Sequence, residues 1–215
     1  MAATPLSAVL TGDLVASRKA SRAQAERAMA ALSEAARDFG TSRKMDLRFT
    51  RFRGDGWQVY LSDPTYALDA ALYLITRLRG EATEVETRLS AGIGPVVTTG
   101  TNDLSDADGD AFYISGDHLE IIGKRQRMVV AGKGIGPFQA AVFELVDHIS
   151  AGWSPAQAEA VAMAMTERYA TQDDIAEVLG ITRQAVQSRL AAAGYAFLHD
   201  ALHAFRTYDF GEAAS

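Results

Sequence analysis

The order of apolar segments in the first hundred residues constrains the fold more than any other feature of this chain. Residues 6–10 are apolar except for Ser7 and predict a short strand that ends near Asp13. A helix is predicted over residues 21–39, because alanine, leucine and methionine recur there at helical spacing and Ser21 can cap its start. Gly40 is expected to end this helix. The periodicity then predicts a strand over 47–53, a strand over 57–61, a helix over 64–79 and a strand over 85–93.

This order of strand, helix, two strands, helix and strand is that of a ferredoxin-like domain, so the predicted fold class is α+β. The first strand of such a sheet is expected to lie centrally, beside the second and third strands. The hairpin between the second and third strands turns at Gly-Asp-Gly, where the glycines permit a tight turn. Asp13 ends the first strand and Asp55 occupies the hairpin tip, so we expect the two carboxylates to lie close together at one edge.

Two neighbouring carboxylates repel each other, and this repulsion raises the pKa of one of them. A divalent cation removes the conflict, and oxygen ligands of this type suit Mg²⁺ or Mn²⁺. Asp13 and Asp55 are therefore the candidate metal ligands. Two acidic ligands together with phosphate oxygens are typical of nucleotidyl transfer. The alternative is that Asp55 is only a turn residue and Asp13 only a cap.

The stretch "TQDDIAEVLGITRQAVQSRLAAAGY" carries the clearest local pattern in the chain. Thr171 can cap one helix, Gly180 can make a tight turn, and Thr182 can cap a second helix. This pattern predicts a helix-turn-helix. Alanine-rich helical sequence begins at Ser154, so we predict an α+β domain over 1–150 and an all-α domain over 151–215. The periodicity of 138–149 fits either a strand or a helix.

The second helix of this pattern supplies candidate DNA contacts. They are Thr182, Arg183, Gln184, Gln187, Ser188 and Arg189. Arginine can read guanine and glutamine can read adenine in the major groove. However, residues 151–215 contain four basic and eight acidic side chains. Phosphate contacts supply most nonspecific affinity for DNA, so this acidic segment also fits a protein-contact or dimer domain.

Three stretches in this order, "VLTGDLVASR", "RFRGDGWQVYL" and "RLSAGIGPVV", resemble the catalytic domain of class III nucleotidyl cyclases. A fourth, "ISGDHLEIIGKR", is similar to a helix of that family, and the resemblance covers about residues 6–130. A cyclase-like domain followed by a helix-turn-helix also resembles the SatD family. The resemblance implies that Asp13 and Asp55 bind metal. It further implies a nucleotide site that includes Gly12, Arg51, Gly54 and Lys124.

Some positions depart from the cyclase pattern. Arg51 stands where adenylate-specific members have a base-recognising lysine, and Tyr113 stands at the second base-selecting position. Glu120 replaces the ribose-orienting asparagine, and Lys124 replaces the transition-state arginine. A lysine cannot reproduce the bidentate grip of a guanidinium on phosphate. The metal-binding end of the implied site therefore matches the family, and the catalytic end does not.

The composition excludes several other classes of protein. The 215 residues include no cysteine, which rules out disulfides and thiol nucleophiles. No apolar run approaches the roughly 20 residues of a membrane span, and the N-terminus lacks a signal-peptide pattern, so a cytoplasmic protein is expected. The leading expectation is a nucleotide-responsive, DNA-binding transcription regulator that forms a homodimer. The alternatives are a metal-dependent nucleotidyl cyclase or polymerase acting on ATP or GTP, and a protein-interaction scaffold.

Overall fold

The structure, a computed structural model, describes residues 5–15, 20–52, 54–81, 84–123, 125–166, 168–169 and 171–210. The strands are β1 (Leu6–Val15), β2 (Leu47–Arg51), β3 (Gly56–Leu61), β4 (Glu86–Thr98), β5 (Asp108–Gly109) and β6 (Met128–Gly132). The helices are α1 (Arg22–Arg43), α2 (Ala67–Gly80), α3 (Asp110–Ile121), α4 (Pro137–Ala151), α5 (Pro155–Ala164), α6 (Gln172–Leu179), α7 (Arg183–Ala192) and α8 (Tyr195–Arg206). The predicted mixture of helices with a largely antiparallel sheet is confirmed.

The strands pair in the order β2-β3-β1-β4-β5, and β6 pairs with β4 in parallel. The neighbours of β1 are β3 and β4, both antiparallel to it, so the expectation that β1 also borders β2 is wrong. The reason is the crossover through α1, which carries the chain past one strand position. The tight turn after β2 then returns β3 into that position, next to β1.

The two faces of the sheet are covered by different helices. Ala8, Leu10 and Leu14 of β1 are buried in the main hydrophobic core with α1 and α2. On the other face, Val9 packs in a smaller cluster with α3. Helix α3 lies close to the sheet because Gly92 has no side chain, since a Cβ there would come within 2.3 Å of the Ala111 carbonyl oxygen.

Helix α1 continues past Gly40, which was expected to end it, and stops at Lys44 in the left-handed conformation with φ of 52°. Gly40 is buried inside the helix. A Cβ at this position would lie 2.9 Å from the Cβ of Leu47. The glycine therefore serves the close packing of β2 against α1 rather than the helix end.

The C-terminal helices pack directly on the sheet domain. The segment 138–149 is part of α4, which settles its assignment as helix. Buried residues on both sides of position 150, including Phe143 and Trp153, belong to one continuous hydrophobic core. Arg79 of α2 donates hydrogen bonds of 2.7 Å to the carbonyl oxygens of Ser150 and Ala151. Within the described ranges, no helix combines the length and apolarity needed to cross a bilayer.

Candidate functional site

Asp13 is held by an arginine on the neighbouring strand. The register of β1 places Asp13 opposite Gly56 on one side and Arg88 on the other. Arg88 donates two hydrogen bonds of 2.8 Å, from Nε and Nη2, to the two carboxylate oxygens of Asp13. The pair is partly open to solvent, with 28% of the Asp13 side chain and 36% of the Arg88 side chain exposed.

Asp55 is held beside this pair by the hairpin. Gly54 adopts a φ of 87°, which favours glycine, and the Leu14 N–H donates a 3.1 Å hydrogen bond to the Asp55 carbonyl oxygen. The hydrogen bond from Arg88 to Asp13 raises the pKa of Arg88, and the charges of Asp13 and Asp55 add to that rise. Both predicted carboxylates therefore act on one guanidinium, that of Arg88, which pairs directly with Asp13.

The arrangement around Asp13 does not fit a resident divalent cation. Both carboxylate oxygens of Asp13 already accept hydrogen bonds from Arg88. Within the part of the chain that the structure describes, no group of three or more histidine, aspartate or glutamate side chains is placed to hold a metal ion. Sequence reasoning did not identify Arg88. Its signal is a lone charged side chain inside the apolar strand β4, but its partner depends on the register between two strands far apart in the chain.

Among the described residues of the implied nucleotide site, Arg51 is held away from Asp13. The indole of Trp57 lies against Gly12, so that a Cβ at Gly12 would be 2.3 Å from Trp57 Cζ2. Arg51 pairs with Glu26 of α1 at 2.6 and 2.9 Å, on the face of the sheet that carries α1. Gly54 is exposed in the hairpin turn. Lys124 lies outside the described residues.

The predicted caps and turn of the C-terminal pattern are present. Thr171 Oγ1 accepts a 3.2 Å hydrogen bond from the Asp174 N–H, and the Asp174 carboxylate accepts one of 2.8 Å from the Thr171 N–H. Gly180 ends α6 in the left-handed conformation with φ of 63°. Thr182 then accepts a 3.2 Å hydrogen bond from the Ala185 N–H and begins α7. Two short helices are thus joined by a turn of three residues.

Helix α7 has one buried and one exposed side. Val186 and Leu190 are buried in the core. The exposed residues include Thr182, Arg183, Gln184, Gln187 and Ser188. The Arg183 side chain is 64% exposed, with its Nε 3.8 Å from a carboxylate oxygen of Asp173.

Arg189 differs from the other predicted DNA contacts. Its side chain is only 27% exposed, and its Nη1 lies 3.5 Å from a carboxylate oxygen of Glu159 on α5. This contact turns Arg189 toward α5, whereas the glutamines of α7 face solvent. The structure therefore groups the other predicted contacts on one surface and separates Arg189 from them.

We expect that replacing Arg88 with methionine will raise the affinity for divalent cations above that of the wild-type protein. Methionine keeps the length of the arginine stem but removes the positive charge, so the Asp13 carboxylate, which lies near Asp55, loses the guanidinium that holds it and can accept a cation. Calorimetric titration with Mg²⁺ and Mn²⁺ measures this change. Arg88→Met combined with Asp55→Asn is the matched control and should lose the gained affinity. Strong Mg²⁺ binding by the wild-type protein would contradict this account of Arg88.

No protein-family model matches the sequence, and no curated protein matches it either. The cluster of Asp13, Asp55 and Arg88 and the exposed side of α7 are the two surfaces on which the proposed function rests.

Proposed function

We propose that the protein is a DNA-binding transcription regulator that reads its operator with α7. The observation that carries the proposal is the grouping of Arg183, Gln184 and Gln187 on the solvent-facing side of the first turns of one helix. These side chain types can form bidentate hydrogen bonds with guanine and adenine. Recognition helices meet base edges near their N-termini, which is where these residues lie.

We assign α6 and α7 to a helix-turn-helix, with α7 as the recognition helix. The left-handed Gly180, the cap at Thr182 and the 3.0 Å hydrogen bond from the Ile181 N–H to the Ala176 carbonyl oxygen support this assignment. Helix α5 supports α7 from behind through the Arg189–Glu159 contact. For the sheet domain, the strand order β2-β3-β1-β4 supports a ferredoxin-like, cyclase-like fold.

Electrostatics set the conditions under which DNA binding is expected. The segment 151–215 contains four basic and eight acidic side chains, so long-range attraction to phosphate is weak. The contact between Arg183 and Asp173 is exposed, and exposed ion pairs contribute little stability. Arg183 can therefore exchange Asp173 for a base edge at small cost. We expect binding to be detectable mainly at low salt.

The proposal includes a homodimer, because helix-turn-helix proteins usually read two half-sites. Its support is a set of large apolar side chains that face solvent on α4 and α8. Phe138 and Leu145 of α4 are 76% and 61% exposed, and Phe197 of α8 is 78% exposed. Exposed apolar surface of this kind is typical of protein contacts. Sedimentation of the free protein at micromolar concentration tests this part, and a monomer would contradict it.

Selection from a random DNA pool at about 50 mM salt is expected to enrich one sequence. Gln187→Ala should then weaken affinity for that sequence by about 5- to 150-fold, because a bidentate base contact is lost. Gln126→Ala is the matched control, since it removes a half-exposed glutamine of the sheet domain, located just before β6. Affinity is measured by fluorescence anisotropy, and circular dichroism checks that both variants are folded.

Two outcomes would contradict DNA reading by α7. Enrichment of no sequence would remove the DNA proposal and leave α6 and α7 as a protein-interaction module. Equal losses for Gln187→Ala and Gln126→Ala would remove α7 as the reading helix. Arg189→Ala should act mainly on stability rather than on the salt dependence of binding, because Arg189 contacts Glu159.

Nucleotide binding at the sheet domain is the second part of the proposal, and nucleotidyl transfer is the alternative function. The proximity of Asp13 and Asp55 favours both. The two hydrogen bonds from Arg88 to Asp13 disfavour metal-dependent transfer, because a metal would have to displace the guanidinium. Thermal unfolding with ATP or GTP, with and without Mg²⁺, tests both, since a ligand of the folded state raises the unfolding temperature. Production of cyclic nucleotide that Asp13→Ala abolishes would favour the enzyme.

A further inference from the structure

A cleft of about 680 Å³ lies where the sheet domain meets the C-terminal helices. Its walls come from α1 and α2 on one side and from α5, α6, Thr166, Arg168 and Tyr169 on the other. This volume is in the range of sites that bind small molecules, which are typically about 300–1,000 Å³. The cleft is separate from the cluster of Asp13, Asp55 and Arg88 and from the exposed side of α7.

Two arginines in this cleft lie over two tyrosines. The Arg77 guanidinium is 5.7 Å from the centre of the Tyr73 ring, and the Arg168 guanidinium is 5.7 Å from the centre of the Tyr169 ring. Burial raises the pKa of the Tyr73 phenol, and the charge of Tyr169 adds to this rise, so the two phenols lie near each other. Guanidinium groups placed over aromatic rings can bind an anion and a planar ring together.

Part of the cleft lining is apolar. Met163 of α5 and Val178 and Leu179 of α6 form this part. Val178 is 60% exposed, although it is a β-branched apolar residue on a helix that otherwise packs its apolar side inward. Small-molecule sites usually combine apolar side chains with polar groups that orient the ligand, and this cleft contains both.

The charges of the lining disfavour a ligand with more than one negative charge. The charged lining residues are Arg77, Arg168, Asp38, Glu81 and Glu159. Asp38 accepts a 3.0 Å hydrogen bond from Arg77, and Glu159 lies 3.5 Å from Arg189 of α7. Arg168 has no carboxylate partner within the described part of the chain, so its charge is available to a ligand. The three carboxylates of the lining would repel a phosphate dianion. A ligand with a single carboxylate requires only one cation, which Arg168 supplies.

We propose that this cleft binds a small aromatic monocarboxylate. The carboxylate would bind Arg168 and the remaining N–H groups of Arg77, and the aromatic ring would pack against Tyr169, Met163 and Val178. Such a ligand would contact α2 and α6 together, and α6 supports the proposed recognition helix. Binding of the acid is therefore expected to change the affinity for DNA. This effect rests on the proposed function, whereas the binding site itself does not.

Calorimetric titration of the full chain with indole-3-acetate tests the site. Indole-3-acetamide and tryptamine are matched probes that keep the ring and replace the negative charge with none or with a positive one. We expect the acid to bind at least about tenfold more tightly than either, because hydrogen bonds to charged groups are the stronger ones. Arg168→Gln should weaken binding of the acid by about tenfold or more. Arg27→Gln, at an exposed position on α1, should leave it unchanged.

A second variant covers the case in which Arg168→Gln disturbs the fold. Val178→Glu places a carboxylate at an exposed position of the cleft lining and should abolish binding of the acid by repulsion. Equal binding of the acid and the amide, tighter binding of tryptamine, or no heat of binding from any of the three would overturn the proposal. Tight binding of the acid with unchanged DNA affinity would retain the site and remove its coupling to α7.

Discussion

Gly12→Ala is expected to destabilise the folded protein by about 3 kcal/mol, the upper end of the usual cost of overpacking a core. A Cβ at this position would lie 2.3 Å from Cζ2 of Trp57 and 2.7 Å from the Arg88 carbonyl oxygen. The ring cannot easily move aside, because Trp57 is fully buried and its Nε1 donates a 3.0 Å hydrogen bond to Thr87 Oγ1. Thr87 in turn donates a 2.8 Å hydrogen bond to the Asp13 carbonyl oxygen.

Urea unfolding measures this change, and Gly116→Ala is the matched control. Gly116 lies within α3, and a Cβ there would meet no atom within 4 Å. The control should therefore stabilise the protein by about 0.4–1 kcal/mol, because alanine reduces the entropy of the unfolded chain. Equal stabilities of the two variants would show that the indole can shift. A stable Gly12→Ala variant that has lost nucleotide binding would make Gly12 a ligand residue, as the cyclase resemblance implies.

The second large effect is a pH dependence of stability that depends on Asp69. This α2 residue is 1% exposed, pairs with Arg206 of α8 through one oxygen, and its Oδ2 has no hydrogen-bond partner in the described structure. Burial raises the pKa of Asp69 from its ordinary value of 3.8 to about 6, against the opposing charges of Arg206 and Arg43. Folding therefore favours the protonated form of this carboxyl group.

The direction of this pH dependence follows from the linkage between protonation and folding. The stability contributed by protonated Asp69 is fully present below its unfolded pKa of 3.8 and is lost as the pH rises through its folded pKa of about 6. The total loss at neutral pH is about 3 kcal/mol, since one pKa unit corresponds to about 1.4 kcal/mol. Between about pH 5 and about pH 7.5, the wild-type protein should lose about 1–2 kcal/mol relative to Asp69→Asn.

Urea unfolding at the two pH values gives this difference, and Asp117→Asn serves as its control. Asp117 is exposed on α3, so its replacement should leave the pH profile of the wild-type protein intact. A profile of Asp69→Asn that runs parallel to that of the wild-type protein would contradict a raised pKa at Asp69. Because Asp69 and Arg206 join α2 to α8, the same measurement reports on the contact between the sheet domain and the C-terminal helices.

Local sequence signals were sufficient to predict the structural features whose physical cause is local. Ser21, Thr171 and Thr182 each cap the helix that follows, because the cap hydrogen bond joins residues three positions apart. The hairpin tip at Asp55 follows from the two glycines beside it. The helical state of 138–149 did not follow from periodicity, because its burial depends on where α4 packs on the sheet and α8.

Contacts between distant segments explain why the role expected for Gly40 was wrong and why Arg88 was not identified. Gly40 resembles a helix-ending glycine in the sequence, but its role is set by Leu47, which packs against it from β2. Arg88 is 75 residues from Asp13 in the chain and becomes its partner only through the register of β1 and β4. The charge conflict between Asp13 and Asp55 was predictable, whereas the nature of the compensating cation was not.

The sequence by itself determined the α+β class, the order of the elements up to residue 93, the helix caps, and the proximity of Asp13 to the hairpin tip, because these depend on periodicity and on neighbours within a few positions. The tertiary structure alone decided that Arg88 neutralises Asp13, that Trp57 covers Gly12, and that Arg51 lies on the opposite face with Glu26. The tertiary structure also creates the cleft, because its walls come from four helices that are distant in the sequence. Strand register and helix packing set these contacts, and both are settled only when the whole core is buried.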